Sequence, residues 1–345
     1  MNKQITVSLP ENISDDEISF FEKYLHYQLK GQKVKRYKNV FVTYSGLCMN
    51  YNGLIKDCHH DYPDQHQDYL AELAHYYFDT IKNPENLISL DEGKYVLIHH
   101  PWYNYYHWLC ECIFRAWMVR RNNNKLILLL PDYYKHSDFI MSPLAPFNFK
   151  DIYFIPAGKS LMIKNLCVPQ IKPIVDSYDY TMVKQVKKFL LNYSKNHENK
   201  DLDLGERIYI SRKRALRKKI HNEEEIVPLL LKFGFTITNN EDYTFWEQVA
   251  IFSKAKYVVS IHGSGLTNML FMKEKALVLE LRKRVTGERD WYSPVFWYLA
   301  EALGFKYYQQ LCEPVNPTDS YFDADYIVDA NLLERNLCKM IGRNA

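Results

Sequence analysis

No run of ~18 consecutive apolar residues occurs in the 345-residue chain, so no segment reads as a membrane-spanning helix. Met1-Asn-Lys-Gln-Ile5 opens without the apolar stretch of a secretory leader. The seven cysteines (Cys48, Cys58, Cys110, Cys112, Cys167, Cys312 and Cys338) are odd in number and include no Cys-x-x-Cys pair. They fit neither a disulfide framework nor a zinc site, and a reducing compartment suits them best. These absences lead to the expectation of a soluble, cytoplasmic protein with at most peripheral membrane association. A formal net charge of only +3 speaks against a dedicated nucleic-acid binder, so no nucleic-acid partner is expected. Walker A, Gly-x-Gly-x-x-Gly and Gly-x-Ser-x-Gly sequences are all missing, which sets aside kinase, dinucleotide-oxidoreductase and serine-hydrolase chemistry. Asp201-Leu-Asp203 and Asp323-Ala-Asp325 are the Asp-x-Asp pairs, and both sit in loop-like contexts. A metal holding a diphosphate uses carboxylates at a strand end, so neither a metal nor another cofactor is expected.

What is present is an ordinary globular balance, 47% hydrophobic and 25% charged, with 28 Tyr and 6 Trp against 12 Gly. The tyrosines suit a sugar site, and equally a compositional bias towards Tyr, Asn and Lys. At this length two domains are expected. Ser14 to Glu17 form a capping box before an amphipathic helix over 18–29, and 39–44 reads as a strand. The polar stretch 51–67 contains His59, His60 and His66, which suit a metal or, more simply, a solvated loop. Apolar runs at 95–99, 126–130 and 152–155 alternate with helical patterns, the rhythm of parallel α/β layering. Pro169 and Pro173 mark a crossover near 175, and a helix follows over 180–193. The α/β rhythm then restarts, with strands at 207–211, 235–238, 257–261, 276–281 and 305–309. Helices at 222–232, 244–254 and 295–303 alternate with them, and Asp329 caps a last helix. Two successive α/β halves imply a cleft, with ligands beyond the carboxyl ends of the strands.

Three constellations carry chemistry. Lys256 to Phe271 runs from an apolar strand through a His262-Gly-Ser-Gly265 turn into an apolar helix expected from Leu266. Such a turn leaves backbone N–H groups for an anion, although Gly263 and Gly265 also suit a plain tight turn. Strand 207–211 ends in Ser211, Arg212 and Lys213, cations well placed for a diphosphate. Arg217, Lys218 and Lys219 beyond them read as solvated charge. On the segment from Trp102 to Arg115, His107, Glu111 and Arg115 recur at i, i+4 and i+8. They form either a polarised hydrogen-bond chain supporting a general base, or a Glu111–Arg115 surface pair with His107 at the helix start.

His107-Trp-Leu-x-Glu111 with Arg115, Tyr209-Ile-Ser-Arg-Lys213 and His262-Gly-Ser-Gly-Leu-Thr-Asn268 together resemble glycosyltransferase family 61. That family includes bacterial proteins labelled for capsular polysaccharide biosynthesis. Val278-Leu-Glu-Leu281, Phe296-Trp-Tyr-Leu-Ala300 and Leu303-Gly-Phe-Lys-Tyr-Tyr308 continue the likeness over about residues 90 to 340. The resemblance implies a GT-B fold, two facing Rossmann-like domains. These would comprise an acceptor-side domain over 1–175, with 1–90 an unmatched extension of it, and a nucleotide-sugar domain over 176–322. Residues 323–345 would pack back on both. It also implies inverting, metal-independent transfer from a nucleotide-sugar donor, commonly UDP-linked, to a glycan or lipid-linked glycan. Carried over by position, Ser211, Arg212, Lys213, His262, Gly263, Ser264, Gly265, Leu266, Thr267 and Asn268 meet the nucleotide diphosphate, and Glu280 reaches the ribose. Glu111 or His107 faces the acceptor, with Arg115 in support. Ser264 stands where alanine is usual, and Phe296-Trp-Tyr is less polar than the family pattern. The expected chemistry is one in-line displacement, with Glu111 (His107 as the other candidate) as base and Arg212, Lys213 and His262 facing the departing charge. A non-catalytic nucleotide or glycan sensor and a sugar-phosphate transferase are the alternatives.

Overall fold

The computed structural model describes residues 3–172, 175–198, 201–285 and 292–342. The chain divides into two compact units, one of residues 30–175 and one of residues 3–29 with 176–345. In the first, Tyr95–Leu97, Ile127–Pro131 and Asp151–Ile155 lie side by side and parallel, as their apolar runs predict. Ser160–Pro169 joins the other edge of Tyr95–Leu97, also parallel, and then pairs antiparallel with Val34–Val42. Cys48–Asn50 and Gly53–Leu54 complete the antiparallel side of this mixed sheet. Val40, Val42, Leu97, Leu129, Ile155, Leu161 and Ile163 fill its core.

The second unit holds a sheet in which Thr236–Thr238, Arg207–Ile210, Tyr257–Ile261, Leu277–Lys283 and Lys306–Pro314 are neighbours in that order, all parallel. Strand order therefore reverses between Arg207–Ile210 and Tyr257–Ile261. In doubly wound sheets the ligand crevice opens at the carboxyl ends of the two strands flanking such a reversal. Local sequence explains the helices between. Thr244 accepts from the Glu247 N–H while the Glu247 carboxylate accepts from the Thr244 N–H, a capping box that starts Phe245–Lys254. Asp329 Oδ1 caps Ala330–Ile341 through the Leu332 N–H at 2.9 Å. That helix sits in the second unit's own core through Leu333, Leu337 and Met340.

Three expectations need correction. The helix foreseen over 18–29 stops early: Ile18–Glu22 is helical, but His26–Leu29 is a strand paired antiparallel with Lys3–Thr6. Residues 3–29 also group with the second unit, not with 30–175. Aromatic packing explains it: Phe21 meets Tyr292 and Trp297 edge-on, and Tyr27 stacks on Tyr298 at 4.8 Å. The stretch around His59 and His60 is not a solvated loop, because both imidazoles are buried and helix Pro63–Lys82 begins just beyond. The expected crossover falls partly outside the described residues, since Pro173 is not among them.

Candidate active site

The first unit gathers its polar chemistry around one carboxylate. Strand Tyr95–Leu97 runs out into His99 and His100, and Asn104 then caps the start of the next helix by accepting from the His107 N–H at 2.9 Å. Trp108–Cys112 is a π-turn, a local widening common at functional sites. It turns Glu111 into the protein, where its side chain has no solvent exposure. His107 Nδ1 donates to Oε2 at 2.7 Å, and His60 Nε2 donates to Oε1 at 3.1 Å. His100 Nε2 lies 3.1 Å from Oε2 without the alignment of a hydrogen bond. The Lys172 ammonium stands 3.7 Å from Oε1 and donates to the Tyr106 hydroxyl at 3.0 Å. Trp102 stacks on the His60 ring at 4.0 Å and closes that side.

Burial alone would raise the Glu111 pKa, but His60, His107 and His100 outweigh it and hold the carboxyl well below its usual range. Burial lowers His60, and brings His100 down to about 3, so both are neutral imidazoles beside an ionised carboxylate. His107 alone of the three keeps an open edge, 12% of its side chain. Glu111 as the group that meets an acceptor does not fit its enclosure; His107 does. The ligand atoms of His60, His100, His107 and Glu111 lie within 4.8 Å of one another, the described group whose donor chemistry suits a metal. His100 Nδ1, however, accepts the Trp102 N–H at 3.3 Å, which directs its proton to Nε2, and an ammonium already faces Oε1. The set fits a carboxylate serving N–H donors better than a cation.

Arg115 does not extend this chain. The π-turn shifts it out of line, and its guanidinium is spent on main-chain carbonyls of Ile98 (2.6 Å), Pro169 (2.7 Å), His99 (3.0 Å) and Asp57 (3.3 Å). It pins strand ends beneath the histidines and is neither a surface partner nor a ligand.

In the second unit, Ser211 and Arg212 follow strand Arg207–Ile210, and His262 follows Tyr257–Ile261, so they flank the strand reversal. The Arg212 guanidinium donates to the carbonyls of Lys218 (3.1 Å) and Arg217 (3.4 Å) and makes no ion pair among the described residues. A Cβ on Gly263 would stand 3.3 Å from Arg212 Nη1, and one on Gly265 3.2 Å from Asn240 Nδ2. Gly263 has extended backbone (φ 173), so its lack of a side chain serves that close approach and not a turn. The helix expected from Leu266 is a 3-10 helix over Ser264–Phe271. Leu266, Thr267 and Asn268 point into the protein, and Asn268 donates to Gln248 at 2.8 Å; Ser264 stays half-buried. Ser211 is buried, and its hydroxyl accepts the Lys213 N–H at 3.1 Å; the Lys213 ammonium is exposed beside Glu224. Ser211, Lys213, Arg214, Glu223 and Asn239 line a cavity of about 440 Å³ next to the reversal.

Glu280 is fully buried and its oxygens are taken by His262 Nδ1, Arg282 (3.3 Å) and the Tyr307 hydroxyl (2.5 Å). The ribose contact expected of it finds no open oxygen; Glu280 orients His262 instead. Burial raises its pKa, but Arg282, His262 and Tyr307 together outweigh that, and the net shift is downward. Burial takes His262 down to about 3, so it is neutral and donates Nδ1–H to Glu280. Sequence reasoning missed His60, His100, Lys172 and Lys218. His60 stood in a polar stretch with no period, and only the fold carries it 51 residues to Glu111.

Glycosyltransferase 61 matches the chain over residues 105–279, half of its length, taking in His107, Glu111, Arg212 and His262. The chain is also 20% identical over 201 residues to the EGF domain-specific O-linked N-acetylglucosamine transferase of Drosophila melanogaster, covering 52% of this chain and 39% of that protein. It thus spans about two fifths of the relative's length. No helix among the described residues is long and apolar enough to cross a membrane. The match covers the imidazole–carboxylate dyad of one unit and the strand reversal of the other, and this chain belongs to glycosyltransferase family 61.

Proposed function

We propose that the protein moves a sugar from a UDP-linked donor to an acceptor hydroxyl, inverting the anomeric carbon and using no metal. The observation that carries this reading is Arg212. It is a cation at the strand reversal with Gly263 cleared beside it and no ion pair among the described residues. His107 takes the acceptor hydroxyl proton on Nε2, the acceptor oxygen bonds to the anomeric carbon, and the bond from that carbon to the diphosphate breaks. The electron pair leaves on the diphosphate, which Arg212, Lys213 and His262 face. Glu111 remains ionised and stabilises the imidazolium formed at His107. The reading keeps the GT-B arrangement that the family resemblance implies, with the donor on the second unit and the base on the first.

A glycan hydroxyl, free or lipid-linked, is the acceptor in this reading, and cytoplasmic synthesis of a surface or capsular polysaccharide is its setting. A protein hydroxyl is the second reading, favoured by the EGF-domain specificity for which the Drosophila relative is named. Incubating the chain with a panel of UDP-sugars and following UDP release tests the proposal. Slow donor hydrolysis is expected from the wild type, about a hundredfold slower in Arg212→Ala because one donor facing the leaving group is worth ~3 kcal/mol. Absence of release from every nucleotide sugar, with and without glycan acceptors, would sink it.

A further inference from the structure

Lys218 lies in the Arg217-Lys-Lys219 run that reads as solvated charge, yet it is only 7% exposed and makes no ion pair among the described residues. Its neighbours are committed elsewhere: Arg217 pairs with Asp323 at 2.5 Å, and the Lys219 N–H donates to Asp325 at 2.7 Å. The Lys218 backbone is left-handed (φ 62), a conformation unusual for a residue with a side chain. Arg212 Nε holds that turn by donating to the Lys218 carbonyl at 3.1 Å. The ammonium stands 4.3 Å over the Tyr321 ring, and the same ring is 5.0 Å from that of His262. Three cations, Arg212, Lys218 and Arg282, thus gather where Glu280 is the one fully buried carboxylate among the described residues of the second unit, and Glu280 already serves Arg282, His262 and Tyr307. Buried positive charge in excess of its counter-charge calls for an anionic ligand.

We propose that Lys218 is a ligand of the donor's diphosphate, closing with Arg212 and His262 a cationic cradle at the strand reversal. The proposal rests on the nucleotide-sugar reading above and adds a residue outside the matched motifs. A consequence follows for protons. Burial, with Arg282 and Arg212, lowers the Lys218 ammonium to about 7, while Glu280 and Asp323 pull it upward. An arriving diphosphate restores the charge, so binding takes up a proton, increasingly as pH rises from about 6 to 8. Uptake by His262, whose free value is about 3, changes in the opposite sense, falling as pH rises.

Calorimetric titration of the full chain with UDP and with pyrophosphate, in two buffers of different ionisation heat, reads both effects. Lys218→Met is expected to weaken both ligands about tenfold or more, whereas Lys218→Arg keeps most of the affinity and loses the rising proton uptake. Lys218→Met binding both ligands as tightly as the wild type, with a cooperative melt, overturns the assignment. So does wild-type uptake that fails to rise with pH, a measurement that needs no variant to fold. Lys218-dependent binding of pyrophosphate without any nucleoside diphosphate keeps Lys218 as an anion ligand and removes the donor reading. UDP binding indifferent to Lys218 does the reverse.

Discussion

His107 and Glu111 stand one turn apart with Nδ1 2.7 Å from Oε2, the imidazole at the edge of the protein and the carboxylate sealed beneath it. A carboxylate that accepts Nδ1–H fixes the tautomer and leaves the Nε2 lone pair pointing outward. His60 and Lys172 face the other oxygen, and the carboxylate has no exposed surface at which an acceptor hydroxyl could reach it. In the proposed mechanism the division of labour follows from access: the imidazole moves the proton, and the carboxylate positions it and balances its charge.

His107→Ala and Glu111→Gln should each lower turnover ~10²-fold or more with UDP affinity unchanged, the range for a lost general base. The double variant should lose little beyond the worse single, because the two act as a unit. Turnover in single-turnover assays and UDP binding by calorimetry separate the cases. Additive losses, or a collapse of UDP affinity in Glu111→Gln, would make the pair structural.

Much of the second unit was legible in advance because its strands and helices are local and strongly patterned. Tyr180–Tyr193 falls where the apolar period puts it, and Asp329 caps the last helix as its residue type predicts. The site was legible by composition but not by role. A spacing of i, i+4, i+8 puts Arg115 beside Glu111 only if the helix is regular, and the π-turn at Trp108–Cys112 breaks that regularity. Glu280 was visible as a strand residue, yet which groups surround it depends on Tyr307, one strand over, and on His262. His60 and Lys218 were hidden for a related reason, since polar residues in aperiodic segments give no sign of whether tertiary contacts bury them.

Gly263→Ala should leave stability almost unchanged and weaken the donor. The backbone there is extended, which alanine adopts freely, so no conformational strain arises. The new methyl would press on Arg212 Nη1 from 3.3 Å, and the flexible guanidinium would yield by moving. Expected readings are a thermal midpoint within about a degree or two and UDP affinity down about fivefold to tenfold, the size of one displaced charged hydrogen bond. Unaltered UDP affinity would mean that Arg212 does not touch the diphosphate.

Acid should destabilise the protein well before its carboxylates titrate. Burial lowers His99 and His262 to about 3, while in the unfolded chain both titrate near 6.5. Their contribution is complete above about pH 6.5 and is lost as pH falls, because the unfolded state binds protons first. Each such group gives a slope of up to ~1.4 kcal/mol per pH unit in that window. Glu280, lowered overall, adds a loss only below about pH 4.5. Urea midpoints measured between pH 7.5 and 5 should fall steadily, and a flat profile there would mean that these imidazoles are not neutral in the folded state.

Removal of divalent ions should leave transfer intact. His60, His100, His107 and Glu111 bring four metal-type donors within 4.8 Å, so a resident cation is the natural competing explanation of the cluster. Against it stand a lysine ammonium 3.7 Å from Glu111 Oε1 and a His100 tautomer whose proton faces Glu111. Both features neutralise the carboxylate without an ion, and a cation would have to displace them. In the proposed reading a diphosphate leaving group meets Arg212 and His262 in place of a metal. Turnover after exhaustive dialysis against EDTA should therefore stay within about twofold of the untreated enzyme, since a catalytic metal contributes several kcal/mol. Loss of activity on dialysis, restored by magnesium, manganese or zinc, would turn the cluster into a metal centre and withdraw His107 as the base.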